Sequence, residues 1–312
     1  MKNFLSDQKN SRSNQKGGFM GAENPKTAER ESSRNFTSLL KERWVSANSL
    51  LCVGLDSEYR KLPEVIKDIY PGAVDQAIFA FNKEIVDATY DVVCAYKPQH
   101  AFYGALGELG VKALRMTVAY IHDRYPDIPV ILDAKRNDIG NTAEQYAVEV
   151  FDVYGADAVT VNPYLGYDGV EPFLRRKDKG AIVLCRTSNK SARDFQDRID
   201  NETGLTIYQL VAQKAAREWN GNGNLSLVMG CTYPEEMKIV REIVGDEIPF
   251  LVPGLGAQGG KPEDLPNGFD GRKTGIIANS SRGIIFASSG QDFAEAARRE
   301  ALKLRDAINV YR

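Results

Sequence analysis

Val130-Ile131-Leu132-Asp133-Ala134-Lys135-Arg136-Asn137-Asp138-Ile139-Gly140-Asn141-Thr142 begins as a buried strand and ends as a cluster of charge. Val130, Ile131 and Leu132 form an unbroken aliphatic run, the composition of a strand covered on both faces, and such strands belong to parallel sheets packed between helices. Asp133 and Lys135 stand two apart and so share one face of the strand, while Asp138 falls past its end, where the chain turns. Burying one unpaired charge costs several kcal/mol, so charges gathered at a strand terminus either compensate one another or serve chemistry. A structural ion pair at a sheet edge is the plainer of those two readings.

The same pattern recurs on both sides of this stretch. Short aliphatic runs at 50–55, 92–97, 130–134, 158–161, 181–185, 226–229, 249–252 and 275–278 predict eight strands. Between them, helical periodicity marks 74–90, 101–125, 142–154, 206–220, 234–244 and 292–308. Residues 163–176 read as a shorter crossover and 258–272 as loop. Strand–helix alternation implies a parallel sheet with helices outside it, and eight units in about 240 residues match a (β/α)8 TIM barrel. An open doubly wound sheet is the alternative. A further helix at 35–47, with Phe36, Leu39, Leu40 and Trp44 on one face, is expected to close the barrel bottom or pack on its side. Residues 35–312 form one catalytic domain on this reading, preceded by a polar tail at 1–34. That tail is rich in Asn, Ser, Lys, Gln and Gly and is expected to be disordered.

Composition narrows the function. Of 312 residues, 43% are hydrophobic and 26% charged, as in a globular protein, and a net charge of −2 gives no electrostatic footprint for nucleic acid or an anionic membrane. No run approaches the roughly 18 consecutive apolar residues of a membrane span, and residues 1–4 are not followed by the apolar core of a secretory signal. Cys52, Cys94, Cys185 and Cys231 each sit in an apolar run without metal-ligand spacing, which suits reduced core thiols of a cytoplasmic protein. With two histidines in the chain, a His-based triad or a multi-His metal site is disfavoured. His100 reads as a helix-start or packing residue and His122 as a surface one. Tyr164 and Tyr167 read as packing aromatics.

In a barrel, chemistry gathers where strands end at their carboxyl termini. Asp56 ends the first strand, Lys97 the second and Asp133 with Lys135 the third; Arg186-Thr187-Ser188-Asn189 follows the fifth and Arg282 the eighth. Asp56, Lys97, Asp133, Lys135 and Arg282 on one rim point to an active site for an anionic ligand. Gly254-Leu255-Gly256-Ala257-Gln258-Gly259-Gly260 matches a dinucleotide fingerprint formally, but it follows the seventh strand, and Lys261-Pro262-Glu263-Asp264 is not expected to open a helix. A phosphate cup fits better, with backbone N–H groups, Gln258 and Arg282 as donors.

Together these segments resemble the orotidine 5′-phosphate decarboxylase family over roughly residues 36–310. Asp133-Ala134-Lys135-Arg136-Asn137-Asp138 is similar to that family's Asp-x-Lys-x-x-Asp signature. Gly54-Leu55-Asp56, Tyr96-Lys97-Pro98-Gln99-His100-Ala101-Phe102-Tyr103 and the glycine-rich loop are similar to further family segments. The form of the Lys97 segment and the chain length resemble the longer bacterial-type branch. The resemblance implies decarboxylation of orotidine 5′-monophosphate to uridine 5′-monophosphate, the last step of de novo pyrimidine nucleotide synthesis, with no metal and no organic cofactor. It implies a Lys97–Asp133–Lys135–Asp138 array in which Lys135 protonates C6 of the pyrimidine. Asp56 would contact the ribose, Thr187 or Ser188 the pyrimidine, and Gln258 and Arg282 the phosphate. Asp138, Ile139 and Thr142 would enter the neighbouring site of a homodimer.

Three other readings compete. Sugar-phosphate barrels sharing Asp-x-Lys-x-x-Asp use Mg²⁺, for which a carboxylate is expected at the second strand end, where this chain has Lys97. A Schiff-base aldolase acting through Lys135 would need a lowered amine pKa, which flanking Asp133 and Asp138 oppose. A non-catalytic nucleotide-binding barrel would keep a costly charged array without using it.

Overall fold

The computed structural model describes residues 35–256 and 259–312; the tail at 1–34 and Gln258, both assigned above from sequence, lie outside them. In chain order the elements are α1 (Phe36–Ser46), β1 (Leu51–Leu55), α2 (Glu64–Ile69), α3 (Val74–Thr89), β2 (Ala95–Pro98), α4 (His100–Gly104), α5 (Gly107–Arg124), β3 (Ile131–Arg136), α6 (Gly140–Val148), β4 (Ala158–Val161), α7 (Glu171–Leu174), β5 (Gly180–Arg186), α8 (Ile207–Lys214), β6 (Leu225–Met229), α9 (Pro234–Val244), β7 (Phe250–Pro253), β8 (Ile276–Ser280), α10 (Arg282–Ile285) and α11 (Phe293–Asn309). Every aliphatic run predicted to be a strand is one.

The strands pair in parallel in the order β2-β1-β8-β7-β6-β5-β4-β3. Bridges between Tyr96 and Val130 and between Gln99 and Asp133 join β2 to β3 and close the ring. Pairing of β1 with β8 excludes the open doubly wound alternative, and the architecture is a (β/α)8 TIM barrel. All five residues of β1, β6 and β8 are buried. Full burial of each Val, Leu or Ile contributes about 1.5–3 kcal/mol, which offsets the entropy of ordering the strands.

Helix α1 covers the amino-terminal mouth. Asn35 caps it by accepting from the Ser38 N–H at 3.0 Å, and Phe36, Leu40 and Trp44 turn inward. The Phe36 ring lies against Gly180 at the start of β5, where any Cβ would overlap it. Arg43, also buried, donates to the carbonyls of Tyr90 and Val93 at 2.7 and 2.8 Å and so ties α1 to the chain entering β2.

Several expectations need correction. The helix read across 101–125 is two, because Gly107 takes a left-handed φ of 61° and reverses the chain between α4 and α5. Residues 262–268, read as loop, form a 3-10 helix opened by Pro262, with Asp264 accepting from the Lys261 N–H at 3.2 Å. Pro at a first helical position needs no N–H partner, and that signal outweighs the glycines before it. The helices at 142–154 and 206–220 end in π-helical turns at Glu149–Val153 and Ala215–Trp219. His122 does not simply face solvent: its Nε2 lies 3.1 Å from Oδ2 of buried Asp157. Tyr164, read as a packing aromatic, is 81% exposed, whereas Tyr167, 45% exposed, does pack its ring against Trp219, at 6.3 Å between centroids. Among the described residues no helix is long and apolar enough to cross a membrane.

All four cysteines are free thiols and buried. Burial pushes the Cys94 and Cys231 thiols up to about 12 and raises Cys52 and Cys185 as well. Since thiolate is the reactive form, the native protein should resist a disulfide reagent at about pH 8, whereas the denatured chain should release four equivalents. Rapid modification of the native protein would contradict this packing.

Candidate active site

At the carboxyl ends of the strands a cavity of about 560 Å³ opens, and Asp56, Lys97, Asp133, Lys135, Thr187, Ser188 and Arg282 all line it. The structure thus brings these rim residues together; Gln258 lies outside the described residues. Asp138, Ile139 and Thr142 do not line the cavity: Asp138 caps its own turn, accepting from the Ile139 N–H at 2.8 Å, and Ile139 is 57% exposed.

The floor is built around Asp133. Oδ2 lies 3.1 Å from Lys97 Nζ, and Oδ1 accepts from Lys135 Nζ at 2.6 Å and from the Thr160 hydroxyl at 2.8 Å. Lys97 is buried and also lies 4.0 Å from Asp56 Oδ1. A β-bulge makes this possible. The register between β3 and β4 shifts between Leu132 and Arg136, and Lys135 takes a left-handed φ of 47°. Its backbone N–H, released from the regular ladder, donates to Thr160 Oγ1 at 2.9 Å. The same-face argument from strand periodicity therefore reaches the right contact through a backbone that is not a regular strand there.

At 3.1 Å and an effective dielectric constant of about 20, the Lys97–Asp133 attraction is about 5 kcal/mol, comparable to the several kcal/mol needed to desolvate each ion. Burial pushes the Asp133 carboxyl upward, but the Lys97 and Lys135 ammonium groups and the Thr160 hydroxyl outweigh it and hold the group well below the usual carboxylate range. Burial likewise opposes charge on Lys97, and Asp133 and Asp56 more than reverse it, keeping its pKa above the usual lysine value. Both groups stay ionised across the neutral range. Stability gained from this pair is small, so the plain structural ion pair is a poor account of it.

Two buried acceptors face the same space. Asp56 Oδ1 and Asn279 Oδ1 have no hydrogen-bond partner among the described residues. Asn279 was not selected from sequence, nor were Thr160, Gln196 and Gln99, which line the cavity too. Thr160 stands alone as a polar residue in the run Ala158–Val161, and that was the available signal. Gly54 is required in β1 because a Cβ there would overlap the Ser281 hydroxyl beneath Asn279. Above the floor, Arg282 is exposed at the mouth, beside a loop whose Gly254, Gly256 and Gly259 all have left-handed φ. Among the described residues no cluster of His, Cys, Asp and Glu is arranged to hold a metal ion.

Residues 49–299 match the model of the orotidine 5′-phosphate decarboxylase / HUMPS family. The chain is 52% identical over 279 residues to an orotidine 5′-phosphate decarboxylase of Cellvibrio japonicus, covering 89% of this chain and 99% of that one. It is 50% identical over 278 residues to one from Ralstonia pickettii, covering 89% and 99%. Among solved structures, the Leishmania donovani OMP decarboxylase superposes with a TM-score of 0.71 at 34% identity, covering 88% of this chain and 99% of that one. The putative orotidine-monophosphate decarboxylase of Toxoplasma gondii gives 0.75 at 34% identity, covering 89% and 99%. Fold and relatives define a carboxy-lyase built on a (β/α)8 barrel. The chain belongs to the orotidine 5′-phosphate decarboxylase family.

Replacing Asp133 by Asn leaves buried Lys97 facing Asp56 alone, so Asp133→Asn should destabilise the fold by about 3–5 kcal/mol in urea denaturation at pH 7. Adding Lys97→Met should recover part of that loss. Because the folded-state pKa of Asp133 is depressed, its contribution is present above the unfolded value of about 3.9 and fades as pH falls below it. The stability gap between wild type and Asp133→Asn should therefore narrow in acid; a constant gap would argue against the depressed carboxyl.

Proposed function

We propose that the protein decarboxylates orotidine 5′-monophosphate to uridine 5′-monophosphate, and that the Lys97–Asp133–Lys135 chain carries the chemistry. The observation supporting this most directly is the pair of ammonium groups held on one buried carboxylate at the cavity floor. As the C6 carboxylate departs as CO2, its bonding electron pair remains on a ring carbon with no conventional electron sink. Fixed cations stabilise that charge as it develops, without the reorganisation that water would need. Lys135 then delivers a proton to C6, giving the product and a neutral amine that regains its proton from solvent. Asp133 keeps Lys135 aimed, and Lys97 keeps Asp133 ionised.

Asp56, with a buried oxygen that has no hydrogen-bond partner among the described residues, suits a ribose hydroxyl. Thr187 and Ser188 border the space where the base would lie, and Arg282 with the glycine-rich loop holding Gln258 suits the phosphate. Remote binding of the phosphate would help hold the reactive geometry. The protein is proposed to act as a homodimer. Ile139, Tyr164, Leu165 and Tyr167 are exposed apolar side chains in the segments that follow β3 and β4, and a second copy that presents Asp138, Ile139 and Thr142 to its partner's cavity would cover them.

Purified protein should convert orotidine 5′-monophosphate equally fast with and without EDTA. Activity lost in chelator and restored by Mg²⁺ would move the assignment to the sugar-phosphate barrels. The shared site has its own test. Lys135→Ala and Asp138→Ala homodimers should both be severely impaired, yet subunit exchange between them should restore activity towards one working site per heterodimer. Heterodimers that form and stay inactive would place Asp138 in its own chain's site.

A further inference from the structure

Arg186 ends β5 fully buried, yet it does not line the cavity and the chemistry proposed above makes no use of it. Taking a charged group out of water costs several kcal/mol, so complete burial of a guanidinium calls for a reason. Its surroundings supply one. Nη1 donates to Gln196 Oε1 at 3.1 Å, Nη2 lies 3.1 Å from Asp197 Oδ1, and the guanidinium carbon sits 4.0 Å from the centre of the Tyr233 ring. The Arg186 carbonyl accepts from the Gly230 N–H at 2.7 Å, pinning the strand end from the other side.

Gln196 Oε1 also accepts from the Thr187 backbone N–H, at 3.0 Å. Guanidinium and peptide nitrogens can only donate, so the atom on which both converge must be the amide oxygen. This fixes the sense of the whole chain. Gln196 Nε2 donates to Thr187 Oγ1 at 2.8 Å, and the Thr187 hydroxyl in turn donates to Asn189 Oδ1 at 2.7 Å. Thr187, Asn189 and Gln196 line the cavity, so a buried cation behind the wall, together with the Thr187 N–H, determines which of its groups are donors.

We propose that Arg186 is a positioning residue that sets the hydrogen-bond polarity of the Thr187–Gln196 wall and thereby its preference for a pyrimidine ring presenting carbonyl acceptors. The assignment rests on the nucleotide substrate proposed above. Without Arg186, the Gln196 amide oxygen loses the charged one of its two donors and is held only by the Thr187 N–H. The amide can then turn, placing an acceptor where the base also has acceptors, a mismatch that weakens base recognition and leaves the phosphate and ribose contacts in place.

The experiment is calorimetric titration of the full chain with uridine 5′-monophosphate and with ribose 5-phosphate, which lacks the base. The wild type should bind the nucleotide more tightly. Arg186→Met should lose about ten- to hundredfold in nucleotide affinity, the scale of one misplaced buried polar group, while ribose 5-phosphate affinity changes less than about twofold. Gln196→Glu keeps acceptors for Arg186 and the Thr187 N–H but cannot donate, so it should show the same selective loss with Arg186 in place. If Arg186→Met fails to fold, Gln196→Glu decides alone. An unchanged nucleotide preference in the folded variants, or equal loss for both ligands, overturns the assignment while leaving the substrate reading intact. A wild type with no preference for the nucleotide overturns both.

Discussion

One buried carboxylate holds two ammonium groups, and most of the local structure follows from that constraint. Asp133 cannot be buried beside Lys97 and Lys135 unless both oxygens are satisfied, and the Thr160 hydroxyl supplies the remaining donor. Thr160 can do so because the strand bulges at Lys135 and frees the N–H that Thr160 accepts in turn. The backbone irregularity and the charge cluster are therefore one feature. The attraction between the ions is about as large as the cost of removing them from water, so the array contributes little net stability and is held by the surrounding barrel.

How much of this is legible in the sequence depends on the length scale of the forces involved. The eight strands are readable because burial on both faces demands continuous aliphatic runs, and their rim residues are readable because barrel topology fixes which strand ends meet. Breaks within helices are less visible: a single glycine at 107 splits what periodicity joins, since left-handed backbone leaves no mark on hydrophobic spacing. Asn279 and Gln196 escape notice for another reason. Neutral polar residues near strand ends are common, and only the three-dimensional arrangement reveals an acceptor without a donor or an amide pinned from behind. Tyr164, expected to pack, is exposed, because sequence does not distinguish an aromatic ring at a surface from one in a core.

The cavity wall is made in two different ways. On the β2–β3 side, charges are locked directly against one another at the floor. On the β5 side, neutral groups of a loop are oriented by a cation that never reaches the cavity. Direct charge suits a reaction that develops charge, whereas neutral hydrogen bonds suit discrimination between similar rings, where a wrong partner leaves a buried group unpaired.

Lys135 occupies a backbone conformation that favours glycine, at a cost of about 1–2 kcal/mol for a residue with a Cβ. Substitution by Gly would relieve that strain and, in the same step, remove the amine from the cavity floor. Selection on heat alone weighs only the backbone relief against the lost ion pair, and not the amine's proposed role in turnover. Thermostable variants of this enzyme should therefore be sought with activity as a second selection and with codon 135 held constant.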